Sequence, residues 1–352
     1  MRILVDSFAD ADLPNAQMGN AREIVCRLSP ERFHVTMFVL RSPDARIVRR
    51  ANTRLIQLPR KRQTVRILRE FLFGDHNFLF YLKASPASRY YMGLRKRSDG
   101  CNIIGTMESQ ANFKQEPSIT PKAVRLWEQT VLRCDHLFSN SESVQRSLML
   151  QYGRGSQVIP TGVDNSFFTP DWERTPNARS RVLFVGSLRA FKQPQFLLAA
   201  AARLPTVDFR IAGDGPLAPA LKERIGRENL GNVTLMGVLS PAELRDEYRR
   251  ADIFLFPSAW EGSPKVILEA AACGLPAIIR NDYSAETVIH GTTGFQCACD
   301  DELFSYLEVL LSNADLRREF GHNARKLSER YDWNLIAASW EETFLRLSER
   351  HA

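Results

Sequence analysis

No stretch of the 352 residues approaches the roughly 18 consecutive apolar side chains that a bilayer-spanning helix needs. The opening Met1-Arg2-Ile3-Leu4-Val5-Asp6 has three apolar residues before an acid, which predicts a first strand rather than a secretory leader. No two cysteines stand in Cys-x-x-Cys spacing, and Cys297-Ala298-Cys299 alone is poor spacing for a metal. The six cysteines (Cys26, Cys101, Cys134, Cys273, Cys297, Cys299) therefore predict reduced thiols in a cytosolic protein, with neither a disulfide framework nor a zinc site. Internal repeats and low-complexity tracts are also missing. What remains, with 44% apolar and 25% charged residues, is the composition of a globular protein long enough for two ordinary domains.

Short apolar, β-branched runs recur between longer segments of helical periodicity. In the first half the expected strands are Ile3–Val5, Val35–Leu40, Ile103–Ile104, His136–Phe138 and Val158–Ile159. In the second they are Val182–Val185, Phe209–Ala212, Val233–Met236, Ile253–Phe256 and Ala277–Ile279. Helical patterns with proline near the start fall at Pro194–Leu204, Pro216–Asn229 and Pro241–Ala251. Such alternation predicts an α/β fold with parallel sheets covered by helices on both faces. It runs twice, so two Rossmann-like domains are expected, at 1–170 and 181–335. The polar, aperiodic segment 171–180 would link them, and a last helix over 336–352 would pack back on the first domain. Ligands of such sheets bind beyond the carboxyl ends of the strands, in a cleft between the facing domains.

Two carboxylates stand eight positions apart in Glu261-Gly262-Ser263-Pro264-Lys265-Val266-Ile267-Leu268-Glu269. A fully helical path would separate them by about 12 Å. Hydrolytic carboxyl pairs lie roughly 5 to 9.5 Å apart, so this spacing suits two acids holding opposite ends of an extended ligand such as a sugar nucleotide. A capped surface helix with two solvated acids is the alternative. Upstream, Phe184-Val185-Gly186-Ser187-Leu188-Arg189-Ala190-Phe191-Lys192 leaves a strand, turns at Gly186 and presents two cations before a helix. Strand, glycine turn and helix N-terminus form a phosphate site, since free amides and the helix dipole meet the anion. A solvated basic loop is the other reading. In Ile211-Ala212-Gly213-Asp214-Gly215-Pro216 the glycines permit close backbone approach to a ligand. The third glycine of the dinucleotide fingerprint is missing, which argues against a nicotinamide cofactor.

Taken in order, these pieces resemble the retaining glycosyltransferase family 4, whose members have the GT-B fold. The resemblance covers Asp135 to Gly294: Asp135-His136-Leu137-Phe138, Pro160-Thr161-Gly162-Val163-Asp164, the Gly186 loop, Gly213-Asp214-Gly215-Pro216, Leu235-Met236-Gly237-Val238, Asp252 to Ser258, the paired glutamates and Gly291-Thr292-Thr293-Gly294. It implies a nucleotide-diphosphate sugar, UDP- or GDP-linked, as donor. It also implies that no metal or other cofactor is needed. Glu269 would bond the ribose hydroxyls, and Glu261 would lie at the donor sugar beside the amides of Gly262 and Ser263. Lys192, with Arg189, would meet the diphosphate. Gly186, Ser187, Gly213, Gly215, Val238, Lys265, Val266 and Gly19 would complete the donor site. The implied reaction is a front-face, oxocarbenium-like substitution in which the departing phosphate oxygen takes the acceptor's proton, so positioning and charge stabilisation supply the catalysis.

Three positions depart from the family pattern. Ser187 stands where arginine commonly follows the glycine of the phosphate loop. Met18-Gly19-Asn20 replaces a Gly-Gly loop. Glu108 aligns with the family's histidine near the reacting sugar. Asp10-Ala11-Asp12 matches the metal-binding DxD of the other glycosyltransferase fold, and the GT-B reading makes it a polar loop. A non-catalytic sugar-nucleotide or polysaccharide-binding protein, a phosphorylase and an epimerase are the alternatives to a transferase.

Charge is uneven. From Arg41 to Arg69 there are ten basic residues against the single acid Asp44, an excess larger than the net +7 of the whole chain. Val65, Leu68, Phe71 and Leu72 fall at helical spacing among Arg62, Arg66 and Arg69, and Phe78–Leu82 follows. Three readings stay open: a helix lying on an anionic membrane at its inner face, a domain helix with solvated arginines, or a funnel for an anionic acceptor. A saccharide or lipid-linked acceptor fits the last. Nucleic acid is disfavoured, because no binding module accompanies the charge.

Overall fold

The computed structural model describes residues 1–11, 16–82, 84–94, 100–111, 113, 119–283 and 285–349. They form two compact units: Met1–Thr161 with the C-terminal segment from Trp333, and Gly162–Asp332. The segment 171–180, expected as a linker, lies within the second unit.

The first unit is built on a parallel sheet of β1 (Arg2–Phe8), β2 (His34–Val39), β3 (Thr53–Gln57), β4 (Phe78–Leu82), β5 (Asn102–Met107), β6 (His136–Ser139) and β7 (Gln157–Val158). The order is β3-β2-β1-β4-β5-β6-β7, which reverses between β1 and β4. That reversal is the switch point of a doubly wound sheet, where ligands gather at the carboxyl ends of the strands. The helix Trp333–Glu349 closes one face. Its Trp340 and Phe344 rings lie 4.8 and 5.0 Å from that of Phe80, and Trp340 also lies 4.8 Å from Phe138.

Two strands here were not expected. β3 has a single buried residue, Ile56, and sits at the sheet edge. β4 is buried at every position, so the run Phe78–Leu82, which followed the basic stretch as a candidate for membrane contact, is instead the central strand of the sheet. Parallel strands covered on both faces read as unbroken apolar runs.

The second unit carries β8 (Arg181–Val185), β9 (Asp208–Ala212), β10 (Val233–Gly237), β11 (Ile253–Phe256), β12 (Ala277–Arg280) and β13 (Gly294–Cys297), all parallel, in the order β10-β9-β8-β11-β12-β13. The five expected strands are present, and β13 extends the edge. The three expected helices occur as Gln195–Arg203, Ala218–Arg227 and Pro241–Arg250. The last has a capping box between Ser240 and Glu243. Among the described residues no helix is long and apolar enough to cross a membrane, and all six cysteines are free thiols.

Candidate functional site

The switch point of the second sheet lies between β8 and β11, so the segments leaving these two strands are the ones that converge. After β8 the chain turns at Gly186 and makes a short 3-10 turn, Ala190–Lys192. After β11 it runs through Pro257–Glu261. The two segments are joined where the Ala259 amide donates to the Phe191 carbonyl at 2.8 Å, with Ser258 Oγ 3.3 Å from the same oxygen. This join sets the Lys192 ammonium against Glu261 Oε1, which also accepts from Ser258 Oγ at 2.6 Å. The ammonium lies 4.9 Å from the ring centre of Phe256 and 5.3 Å from that of Phe191, a cation-π setting. Only 14% of the Lys192 side chain and 10% of the Glu261 side chain meet solvent. A desolvated ion pair of this kind contributes little net stability over an apolar pair, so its presence at the ligand end of the sheet calls for a functional reason. Tyr283, buried beside it, has a hydroxyl with no hydrogen-bond partner among the described residues. Burial and the charge of Glu261 keep that phenol protonated far above its ordinary range.

The glycines of Gly213-Asp214-Gly215 admit backbone rather than ligand. Gly213 has φ +134, and a Cβ there would lie 1.9 Å from the Gly186 carbonyl oxygen. A Cβ on Gly215 would lie within 2.9 Å of three backbone atoms of Leu188. The Leu188 amide donates to Asp214 O at 2.9 Å and the Leu217 amide to Leu188 O at 3.0 Å. The second glycine loop therefore braces the first. Ser187 and Arg189 on the braced loop are solvent-exposed, and Val238, after β10, is 79% exposed.

Helix Lys265–Ala272 begins at Pro264 with no side-chain cap, so the positive end of its dipole lies at Lys265. Gly262 is buried just ahead of it, and Lys265 and Val266 form its first turn at intermediate exposure. Only the second half of the Glu261–Glu269 spacing is helical, so the 12 Å separation expected of a continuous helix does not apply. Ser263 Oγ donates to Glu286 at 3.4 Å. Glu269 Oε2 lies 3.1 Å from the Tyr248 hydroxyl. Burial pushes the Glu269 carboxyl above its ordinary value, against the opposing pull of Lys265 and the Tyr248 hydroxyl.

An acid whose folded pKa is raised destabilises the fold when ionised. The cost is absent below the ordinary value of 4.5 and sets in as pH rises through the folded pKa. Glu269→Gln is therefore expected to raise the melting temperature at neutral pH, with the gain vanishing in acid. Thermal melts between about pH 4 and pH 8 check it.

The first unit carries a second polar cluster at the ends of β4, β5 and β6. Glu108 follows β5, and its Oε1 accepts from the Tyr81 hydroxyl and from Asn20 Nδ2 at 3.1 Å. Tyr81 is buried with φ +65, where the β4–β5 register shifts. A buried aromatic residue in the left-handed region is a strained placement that the surrounding packing must hold. Glu108, Tyr81, Thr106 and Thr161 line a small cavity with Asn20 and Asn140. The side-chain oxygens of both asparagines are buried there without a partner among the described residues. Gly19 falls inside the helix Ala16–Arg27 rather than in a loop, and it is the neighbouring Asn20 that reaches Glu108. Tyr81→Phe leaves Glu108 short of a donor and is expected to cost about 1–3 kcal/mol in urea unfolding.

Asp10 spends its carboxylate on backbone amides, those of Leu40 at 2.8 Å and Ser42 at 2.9 Å among them. It thus ties loops together, as the polar-loop reading expects; Asp12 lies outside the described residues. Tyr81, Tyr248 and Tyr283 carried no sequence signal of a site, since each is brought in by a segment remote from the motifs; Asn20 and Ser258 stand inside motifs but were given no role.

The sequence profile described as Glycosyl transferases group 1 matches residues 170–327. A D-inositol 3-phosphate glycosyltransferase of Geodermatophilus obscurus is 36% identical over 253 residues, covering 64% of this chain and 55% of that protein. D-inositol 3-phosphate glycosyltransferase 2 of Catenulispora acidiphila is 30% identical over 292 residues, covering 73% of this chain and 68% of that protein. The chain belongs to the group 1 glycosyl transferases. This group 1 chain spans about half to two thirds of the length of those relatives. Among solved structures, sucrose-phosphate synthase from Thermosynechococcus elongatus superposes with a TM-score of 0.83 at 19% identity, covering 99% of each chain. The Anabaena protein HepE, solved with UDP-glucose, gives 0.80 at 18% identity, covering 98% of this chain and all of that one. These likenesses establish the GT-B fold of two Rossmann-like domains.

Proposed function

We propose that this group 1 chain moves a sugar from a nucleoside diphosphate sugar to a hydroxyl of a saccharide or lipid-linked acceptor, with retention and without a metal. The observation that carries the reading is the buried Lys192–Glu261 pair at the switch point of the second sheet, just ahead of the uncapped helix that bears Glu269. In this reading the helix amides and Lys192 hold the diphosphate, Glu261 turns to the donor sugar, and Glu269 accepts from the ribose hydroxyls. The anomeric carbon–oxygen bond to phosphate breaks, the acceptor oxygen bonds to the same face of that carbon, and the acceptor's proton passes to the departing phosphate oxygen. Lys192 stabilises the charge that develops on that oxygen. The Glu108 cluster, at the ligand end of the first unit's own sheet, binds the acceptor. Free thiols in all six cysteines suit a reducing cytoplasmic setting.

The test begins with thermal melts of the whole chain against UDP, GDP, ADP and their sugars. A nucleotide at about 100 times its Kd adds about 2.7 kcal/mol to the folded state. The responding sugar nucleotide, radiolabelled, is then incubated with cell-envelope extract. Label passing into an acceptor supports the proposal. No stabilisation by any nucleotide overturns it, and binding without transfer points to a sugar-nucleotide-binding protein. Release that depends on inorganic phosphate, or epimer formation without an acceptor, points to a phosphorylase or an epimerase.

A further inference from the structure

The helix Gln63–Phe73 resolves what the basic stretch does with its two kinds of side chain. Its Ile67 and Phe71 are buried in the first unit, and the Phe71 ring lies 4.8 Å from that of Tyr91. At 100° per residue, Val65, Arg66, Arg69 and Phe73 then share an outward arc of about 100°. All four are exposed, Val65 by 63% and Phe73 by 80%. Arg60, Lys61 and Arg62, in the turn before the helix, are exposed as well. The described acids next to it in sequence are engaged elsewhere: Glu70 bonds Arg54 and His76, and Asp75 bonds Arg2. Arg60, Lys61, Arg62, Arg66 and Arg69 make no ion pair among the described residues. By contrast, Arg46 of the same basic stretch pairs with Glu23 and Asp44.

We propose that this face docks the first unit onto an anionic lipid bilayer, with the five cations at the headgroups and Val65 and Phe73 entering the acyl boundary. The combination selects the partner. Unpaired cations alone would serve any polyanion, but two large apolar side chains held in water on the same arc gain from an interface that is anionic outside and apolar just beneath. A polysaccharide or nucleic acid offers the charge without that apolar layer. The inference does not depend on which sugar or acceptor the enzyme uses.

The test is co-sedimentation of the full chain with vesicles of equimolar phosphatidylcholine and phosphatidylglycerol, against vesicles of phosphatidylcholine alone. Binding is expected to the first and not to the second, and to weaken as salt shortens the screening length. Each cation lost near such a surface weakens binding about five-fold, so Arg62→Gln/Arg66→Gln/Arg69→Gln is expected to weaken it about 100-fold. Phe73→Ser is expected to reduce the binding that persists at high salt. These side chains are exposed, so unchanged melting temperatures verify that the variants fold. Equal binding to neutral vesicles, no binding to anionic ones, or full binding by the triple variant would overturn the proposal. So would capture by a soluble anionic polysaccharide that anionic vesicles do not compete away.

Discussion

Lys192→Ala is expected to lower kcat for sugar transfer by about 100- to 1,000-fold while changing KM far less, the pattern of a group that acts on charge developing at the leaving oxygen. The structure makes this variant hard to interpret alone. Glu261 is 9% exposed, and its hydrogen-bond partners among the described residues are Ser258 and Lys192. Removing the ammonium strands a buried carboxylate, at a cost of about 3–5 kcal/mol in comparable cases. The double variant Lys192→Met/Glu261→Gln separates the two effects. It removes both charges at similar volume, so urea unfolding is expected to return to near the parent value while transfer stays lost. Recovery of transfer along with stability would show that no cation is needed there, and the catalytic reading of Lys192 would fall.

The second large effect is expected at Gly213→Ala. The residue combines a φ of +134, which L side chains rarely adopt, with a Cβ position 1.9 Å from a backbone oxygen. That neighbour is the Gly186 backbone, not a flexible side chain that can move aside. Either the loop after β9 or the Gly186 loop must shift, at about 3 kcal/mol or more. A loss of that size corresponds to about 10 °C in melting temperature for a unit of this size. Nucleotide binding should weaken too, because the displaced partner is the loop that carries Lys192. A Gly213→Ala chain with parent melting temperature and parent nucleotide response would refute the bracing role.

Some of this was legible in the residues. Glu261, Glu269 and Lys192 lie in motifs whose spacing already pointed to the ends of one ligand, and the five strands expected in the second half are all present. Three strands were not visible. β13 is a short edge strand. β3 buries only Ile56 and carries two polar residues and an arginine among its five, too little apolar pattern to separate from loop. β4 is so uniformly apolar that, beside a basic helix, it read as a membrane-facing patch. The basic stretch itself offered a packed helix or a charged docking face as alternatives. The structure shows a packed side and an exposed basic side on one helix; that the exposed side docks on a surface is the proposal made above. The tyrosines around the glutamates were illegible for a different reason. Tyr248 comes from the helix after β10, Tyr283 from the segment after β12 and Tyr81 from β4, and no local pattern marks a residue whose role is set by a partner 20 or more positions away.

The placement of helix Trp333–Glu349 has a consequence for synthesis of the protein. Trp340 and Phe344 belong to the core of the first unit, against Phe80, Phe78 and Phe138, yet the whole second unit is translated before them. At roughly 5–20 residues per second, the ribosome needs about 10 to 30 s to make that intervening unit. For that interval the central strand of the first sheet stands with one aromatic face uncovered on the nascent chain. The second unit can complete its core first, although it is encoded later, and the first waits for its lid. A ribosome-bound chain halted before Trp333 should accordingly present those phenylalanines to hydrophobic-binding chaperones, and one released after Glu349 should not.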